Sequence, residues 1–569
     1  MKRAARGTRV AWAVSTVVAI LLLGPALLAP GSVLRGDMVF VPHQPWKDAW
    51  LGLDGSIPRA VPMDALVSLL TYLVPGAWLQ KAFLLASFLA GGVGIGRLAE
   101  KVVGATPWGV AAAVTAYLWN PWVVERLSIG QWATVAGYAL LPWVTLAAWR
   151  LRDDHRRWPA VLLLLFLSAV CSPSSGLTAV LVAAVVVLGA PSRRSVGILV
   201  ACAAVANLPW ALPALTLGDR VTLGGGAAFE AFRAAPETSL GLLASALSLG
   251  GIWKLSVVPG ERTTLVVVGA ALVLSAVAVA ALLRGRDETR MRRTLVAVGA
   301  LSVVVCVVPA WATGAMTSAA EVVPGLAMFR DSHRFLAPLA LVLAVGLAAA
   351  VSALHRRAVR GREGVLVAVA TLVVAPALLL PSAAWGLSGD LRPVRFPQEW
   401  ETVAEELEGG TGAPGSVVVL PWEGSYRRLG WNDGRASLDP APRLLPGDVL
   451  IDDRIVLEQD TLPGEDPRTA EVTAALDAKN PAAALSALGV RWVLVEEPLP
   501  SGLVVPDGRV VHDGTWLSLV DLGPPSAASP APAAWRRWLV LGGDAAVALC
   551  LIGVSVVHTR AGRYAPPRT

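Results

Sequence analysis

The sequence predicts a polytopic α-helical membrane protein of about 12 transmembrane helices with a small α/β extracytoplasmic domain near the C-terminus. Three observations predict it. Of 569 residues, 55% are hydrophobic and only 16% charged, against about 25% charged in soluble domains. Mean hydropathy is +0.60, more apolar side chain than a water-soluble fold of this length can hide. Apolar stretches of spanning length recur along the chain, and basic residues cluster in alternate connections between them.

Those stretches fall near 10–29, 77–97, 106–123, 130–149, 158–171, 175–190, 195–214, 263–283, 294–311, 336–354, 364–384 and 537–557. The first follows Lys2, Arg3, Arg6 and Arg9 and resembles a signal peptide. It is longer than an ordinary signal core and further spans follow, so it reads as an uncleaved first span. The fifth and sixth are short and meet at Cys171–Gly176, either as a tight helical hairpin or as a re-entrant pair.

With the N-terminus in the cytoplasm, the inside connections should carry Lys and Arg. They hold Arg97 and Lys101; Arg150, Arg152, Arg156 and Arg157; Arg193 and Arg194; Arg284, Arg286, Arg290, Arg292 and Arg293; Arg356, Arg357, Arg360 and Arg362. The tail adds Arg560, Arg563 and Arg568. The expected organisation is a transmembrane domain over 1–384 with an outer loop at 30–76, an extracytoplasmic α/β domain over 385–536, and a last span with a cytoplasmic tail over 537–569. The expected location is the plasma (inner) membrane, with both termini in the cytoplasm. The net charge of +7 does not point to nucleic acid, because the basic residues lie in short clusters between apolar stretches. Many of the 22 tryptophans sit at the ends of those stretches, at headgroup height.

Within 385–536, Ser416–Pro421, Arg491–Glu496 and Thr515–Asp521 read as strands, and Thr469–Leu488 has helical composition apart from Pro481. Pro524–Pro532 reads as a linker back to the membrane. The acids Asp448, Asp452, Asp453, Glu458 and Asp460 read as a solvated face, and Arg536 and Arg537 as headgroup contacts. Cys171, Cys202, Cys306 and Cys550 lie in or beside apolar segments and read as inert thiols, with no metal-ligand spacing. No internal repeat, phosphate-binding glycine loop or hydrolase nucleophile motif is present. Gly92 and Gly96, inside the second span, have the small-xxx-small spacing of a helix-packing face.

The candidate chemistry lies in polar residues at the outer ends of spans. Asp37 follows the first span closely, at a height where a carboxylate meets both lipid phosphate and water and can take a proton from a hydroxyl. Its alternatives are an ion pair with Arg35 or a turn-forming Asp beside Gly36. His43 and Lys47 lie in the same loop. Glu125 and Arg126 end the third span, either as a structural pair or as part of a site. Arg330, Asp331, His333 and Arg334 precede the tenth span on the outward side, where guanidinium forks suit phosphate oxygens.

Together these features resemble the GT-C superfamily of membrane glycosyltransferases. The resemblance rests on Asp37, on the cluster at 330–334, and on the stretches GDMVFVPHQPW and NPWVVERLSIGQWATVAGYALLPW. They look similar to the large arabinofuranosyl- and mannosyltransferase-like envelope proteins of actinobacteria. The resemblance implies a polyprenyl-phosphate sugar as donor, no other cofactor, and a glycan or glycolipid acceptor in the cell envelope, all at the lipid bilayer. It leaves room for a divalent metal without demanding one. Asp37 would be the base, and Arg126, Arg330, His333 or Arg334 would hold the leaving phosphate. Where many such enzymes carry two neighbouring acids, this loop has Asp37, with Asp48 the next. A transporter or flippase for a lipid-linked glycan, or a scaffold for envelope assembly, are the rival classes. The enzyme reading expects Asp37 to meet Arg126 and the 330–334 cluster in space.

Overall fold

A computed structural model describes residues 2–217, 225–358, 364–409, 415–456, 461–500, 503–527 and 532–563. Arg360, Arg362, Glu458, Asp460 and Arg568 lie outside the described residues. A helix begins in or beside every predicted stretch, including Lys2–Leu28, Gly76–Val103, Trp132–Asp153, Leu265–Arg284, Thr289–Trp311 and Ala534–Arg563. Among the described residues 6 helices are long and apolar enough to cross a membrane, or up to 7 when the bent pair Gly364–Leu378 and Pro381–Gly389 counts as one. The chain is therefore a largely helical membrane protein, and the expected count of twelve spans is not reached on this measure.

The third stretch shows why. Pro107–Leu118 has 12 residues, about 18 Å of helix against about 30 Å of hydrocarbon. It stops at Trp119 because Asn120 turns to cap a new helix, Pro121–Ser128, accepting from the Val123 N–H at 3.1 Å. Glu125 and Arg126 thus sit on a separate short helix. The helices of the fifth and sixth predicted stretches, Trp158–Cys171 and Pro173–Leu188, are divided by Ser172 alone. They pack on each other and on Trp132–Asp153. Gly92 and Gly96 form the expected packing face: a Cβ on Gly92 would run into Ser15 Oγ, and one on Gly96 would come 2.9 Å from the Cβ of Ala11. Cys171, Cys202 and Cys306 are buried and Cys550 is exposed.

The α/β domain is built on a five-stranded sheet in the order Arg509–Asp513, Leu517–Asp521, Val490–Glu496, Ser416–Leu420, Val449–Leu450. The central strands run parallel and the first two are antiparallel additions. Alternation sorts the two faces. Val418, Leu420, Val493 and Val495 pack with Val472 and Leu485, from two helices, Arg468–Leu476 and Pro481–Ala487. The single helix expected over 469–488 is broken there because Asn480 caps and Pro481 restarts it. Val417, Val419, Trp492 and Leu494 pack on the other face with Leu34, Val39 and Val41 of the outer loop. That loop shares the core of the α/β domain.

Two surface readings are corrected. The acids of the domain are tied in: Asp452 is buried and pairs with Arg454 at 2.7 Å, Asp448 pairs with Arg468 at 2.8 Å, and Asp453 accepts two backbone N–H groups. Each satisfies a donor that folding would otherwise leave unmet. Arg536 is buried, donating to the Leu53 carbonyl at 3.2 Å, and Arg537 pairs with Asp48. They fasten the last helix to the outer loop.

Candidate functional site

Asp37 is placed by backbone geometry. Arg35 to Met38 form a tight turn, with the Met38 N–H donating to the Arg35 carbonyl at 2.9 Å. Gly36 then makes a single parallel bridge to the hairpin of Tyr426–Arg428 and Ala436–Leu438: its N–H donates to the Ala436 carbonyl at 2.9 Å, and its carbonyl accepts from the Leu438 N–H at 2.8 Å. The Asp37 N–H donates to the Ile129 carbonyl at 2.9 Å. The two chains approach so closely that Gly130, at φ +79°, has no room for a Cβ beside the Arg35 carbonyl.

Each carboxylate oxygen of Asp37 accepts one hydrogen bond, Oδ1 from the Tyr426 hydroxyl at 2.5 Å and Oδ2 from Gln131 Nε2 at 3.2 Å. Gln131 Oε1 in turn accepts from Arg126 at 2.9 Å. Arg126 grips Asp331 with both terminal nitrogens, at 2.7 and 2.9 Å, and lies 2.8 Å from His333 Nδ1. Arg334 Nε donates to the same Asp331 at 2.8 Å. Trp122, one turn before Arg126, donates to the His333 carbonyl at 3.0 Å. A hydrogen-bonded chain therefore runs from Asp37 through Gln131 and Arg126 to Asp331, His333 and Arg334. Burial alone would raise the Asp331 carboxyl, but Arg126 and Arg334 outweigh it and hold it well below the usual carboxylate range.

Both local ion pairs weighed from the sequence are absent. Arg35 pairs with Asp390 at 2.8 Å, not with Asp37. Arg126 pairs with Asp331, while Glu125 lies 3.5 Å from His333 Nε2 and against Glu237. Burial, then Glu237, pushes the Glu125 carboxyl well above the usual range. Glu237 pairs with the buried Arg262.

Of the predicted site residues, Asp37, Glu125, Arg126, Asp331, His333 and Arg334 come together. Arg126 has no solvent exposure and every contact above is internal, so it orders the site rather than offering a free fork. Arg330 stands beside it, held by Glu465 at 3.2 Å and the Phe232 ring at 5.1 Å. His43 is exposed and packs edge-on against Tyr72, with ring centres 4.6 Å apart. Lys47 donates to the Pro442 carbonyl at 2.7 Å. Neither is joined to the Asp37 chain.

Cations near Asp37 that keep solvent exposure include Arg334, one third exposed and paired with Asp331, Arg59, half exposed and paired with Glu465, and the exposed Lys254. The charge of Asp37 acts on both Arg59 and Lys254. Sequence reasoning missed Arg59, Lys254, Gln131 and Tyr426. Only Gln131, opening a helix a few residues after Arg126, carried a local signal. Arg334 also borders a cleft between Trp132–Asp153 and Pro173–Leu188, lined with Ser174, Ser175 and Thr178. Arg262, the partner of Glu237, and Asn120 line an apolar groove with Trp119, Leu274, Leu343 and Leu347.

No protein-family model matches the chain, and no curated protein matches it. Among solved structures it superposes on the arabinofuranosyltransferase AftD from Mycobacteria with a TM-score of 0.60 at 18% identity, over 91% of this chain and 40% of that one. A mutant of the same protein gives a TM-score of 0.56 at 20% identity, over 92% and 42%. This chain thus spans about two fifths of the length of the structures it matches. At this identity the likeness is one of fold: the chain shares the fold of about two fifths of a mycobacterial arabinofuranosyltransferase.

Proposed function

We propose that this protein is a membrane glycosyltransferase that moves a sugar from a polyprenyl-phosphate donor to a cell-envelope acceptor outside the cytoplasm. The observation that carries the reading is the hydrogen-bonded chain joining Asp37 to Arg126 and Asp331, with the partly exposed Arg334 and Arg59, paired with Asp331 and Glu465, and the exposed Lys254 nearby. An acceptor hydroxyl attacks the anomeric carbon with inversion and gives its proton to Asp37. The bond from that carbon to the lipid phosphate breaks, and the phosphate leaves with the electron pair. Arg334, Arg59 and Lys254 stabilise the charge that develops on it. The groove beside Arg262 is apolar enough for a polyprenyl tail. The alternation of basic connections supports an N-terminus in the cytoplasm with Asp37 and the α/β domain outside.

The test uses the whole protein in nanodiscs, with radiolabelled polyprenyl-phosphate arabinofuranose and polyprenyl-phosphate mannose offered separately with oligosaccharide acceptors. Transfer from one donor is expected, and Asp37→Asn should lower the rate at least about a hundredfold with unchanged folding. Transfer from neither donor, or an active Asp37→Asn protein, refutes the reading.

A further inference from the structure

We infer that Tyr426 is a positioning residue for Asp37, which makes the α/β domain a working part of the transfer site. The inference rests on Asp37 being the base, as proposed above. Tyr426 lies 389 positions from Asp37, yet its hydroxyl donates to Asp37 Oδ1 at 2.5 Å. The approach is built into the backbone. Gly36 bridges to Ser437 in the hairpin whose other strand pairs Tyr426 with Leu438. Asp37 is therefore delivered beside Tyr426 by strand register and not by a flexible side chain.

The hairpin strand is anchored from its opposite face. Arg427 points inward and is buried, 3.1 Å from Asp439 and 3.0 Å from Glu496. Alternation then turns Tyr426 and Arg428 out toward the site. Tyr426 is 42% exposed, so core packing does not account for the residue. Burial of the hydroxyl and the Asp37 charge raise the phenol well above its ordinary value, so it stays an O–H donor. With Gln131 on Oδ2, the two donors fix the carboxylate plane and leave the second lone pair of each oxygen free for an incoming hydroxyl proton.

Tyr426→Phe removes the donor and keeps the ring. Its kcat should fall about tenfold, with KM for donor and acceptor within about twofold and an unchanged unfolding temperature. The donor is whichever one the wild type uses in the experiment above, and Asp37→Asn is run beside it. A Tyr426→Phe protein at the wild-type kcat, with Asp37→Asn inactive, overturns this inference alone. A loss of kcat that comes with a raised KM or a lowered unfolding temperature makes Tyr426 structural and also overturns it. An active Asp37→Asn protein, or a wild type that uses neither donor, removes both readings.

Discussion

Arg126 is the keystone of the site, and replacing it by Met measures what the site costs to assemble. The side chain is fully buried and makes two bonds to Asp331, one to Gln131 and one contact with His333. Removing one partner of a buried pair costs about 3–5 kcal/mol, because the other charge is stranded. Here Arg334 still bonds Asp331 at 2.8 Å and relieves part of that charge. The expected loss for Arg126→Met is therefore near the low end, about 3 kcal/mol. Asp331→Leu alone strands Arg126 and should cost at least as much. The double replacement strands neither and should cost less than the sum by at least about 1 kcal/mol. Unfolding in mixed micelles with increasing sodium dodecyl sulfate, followed by tryptophan fluorescence, reads all three. A single Arg126→Met change within about 0.5 kcal/mol of wild type, or strictly additive losses, would refute the view that these groups form one buried unit.

Two further predictions concern contacts of the outer loop, one with the bundle and one with the α/β domain. Gly130→Ala forces a Cβ into the Arg35 carbonyl at a positive φ, so it should lower stability by more than the 1–3 kcal/mol or so of left-handed strain alone and abolish transfer; wild-type melting and turnover would contradict it. Lys47 gives a pH signature. Burial lowers its ammonium group to about 7, against the upward pull of Asp448, whereas an unfolded lysine titrates near about 10.4. Between those values the unfolded chain holds more protons, so this group makes stability rise with pH across that window. Lys47→Met should flatten the rise in unfolding temperature from roughly pH 7 to 9.5, and parallel curves for the two proteins would exclude the effect.

Much of the fold was legible because it follows from local composition. Apolar stretches marked the helices, the strands at Ser416–Leu420 and Val490–Glu496 showed as short apolar β-branched runs, and Gly92 and Gly96 showed as a packing face. The two local ion pairs weighed from the sequence share one cause, the preference for partners near in sequence. Glu125 and Arg126 are consecutive on a helix, so their side chains leave it in different directions and cannot face each other. Arg35 and Asp37 flank Gly36 at φ +52°, inside a turn that sends them apart. Pro481, the exception in the helical run over 469–488, separates two helices there and starts the second.

By itself, then, the sequence determined the solvent, the helices and strands, and the presence of an acid and a basic cluster beside spanning segments. These depend on side-chain hydrophobicity and backbone preference within a few residues. Only the tertiary structure decided which charges meet. Asp331 reaches Arg126 across 205 positions and Tyr426 reaches Asp37 across 389. A buried charge takes whatever counter-charge the packed helices and sheet bring within hydrogen-bonding distance, and that choice belongs to the whole fold.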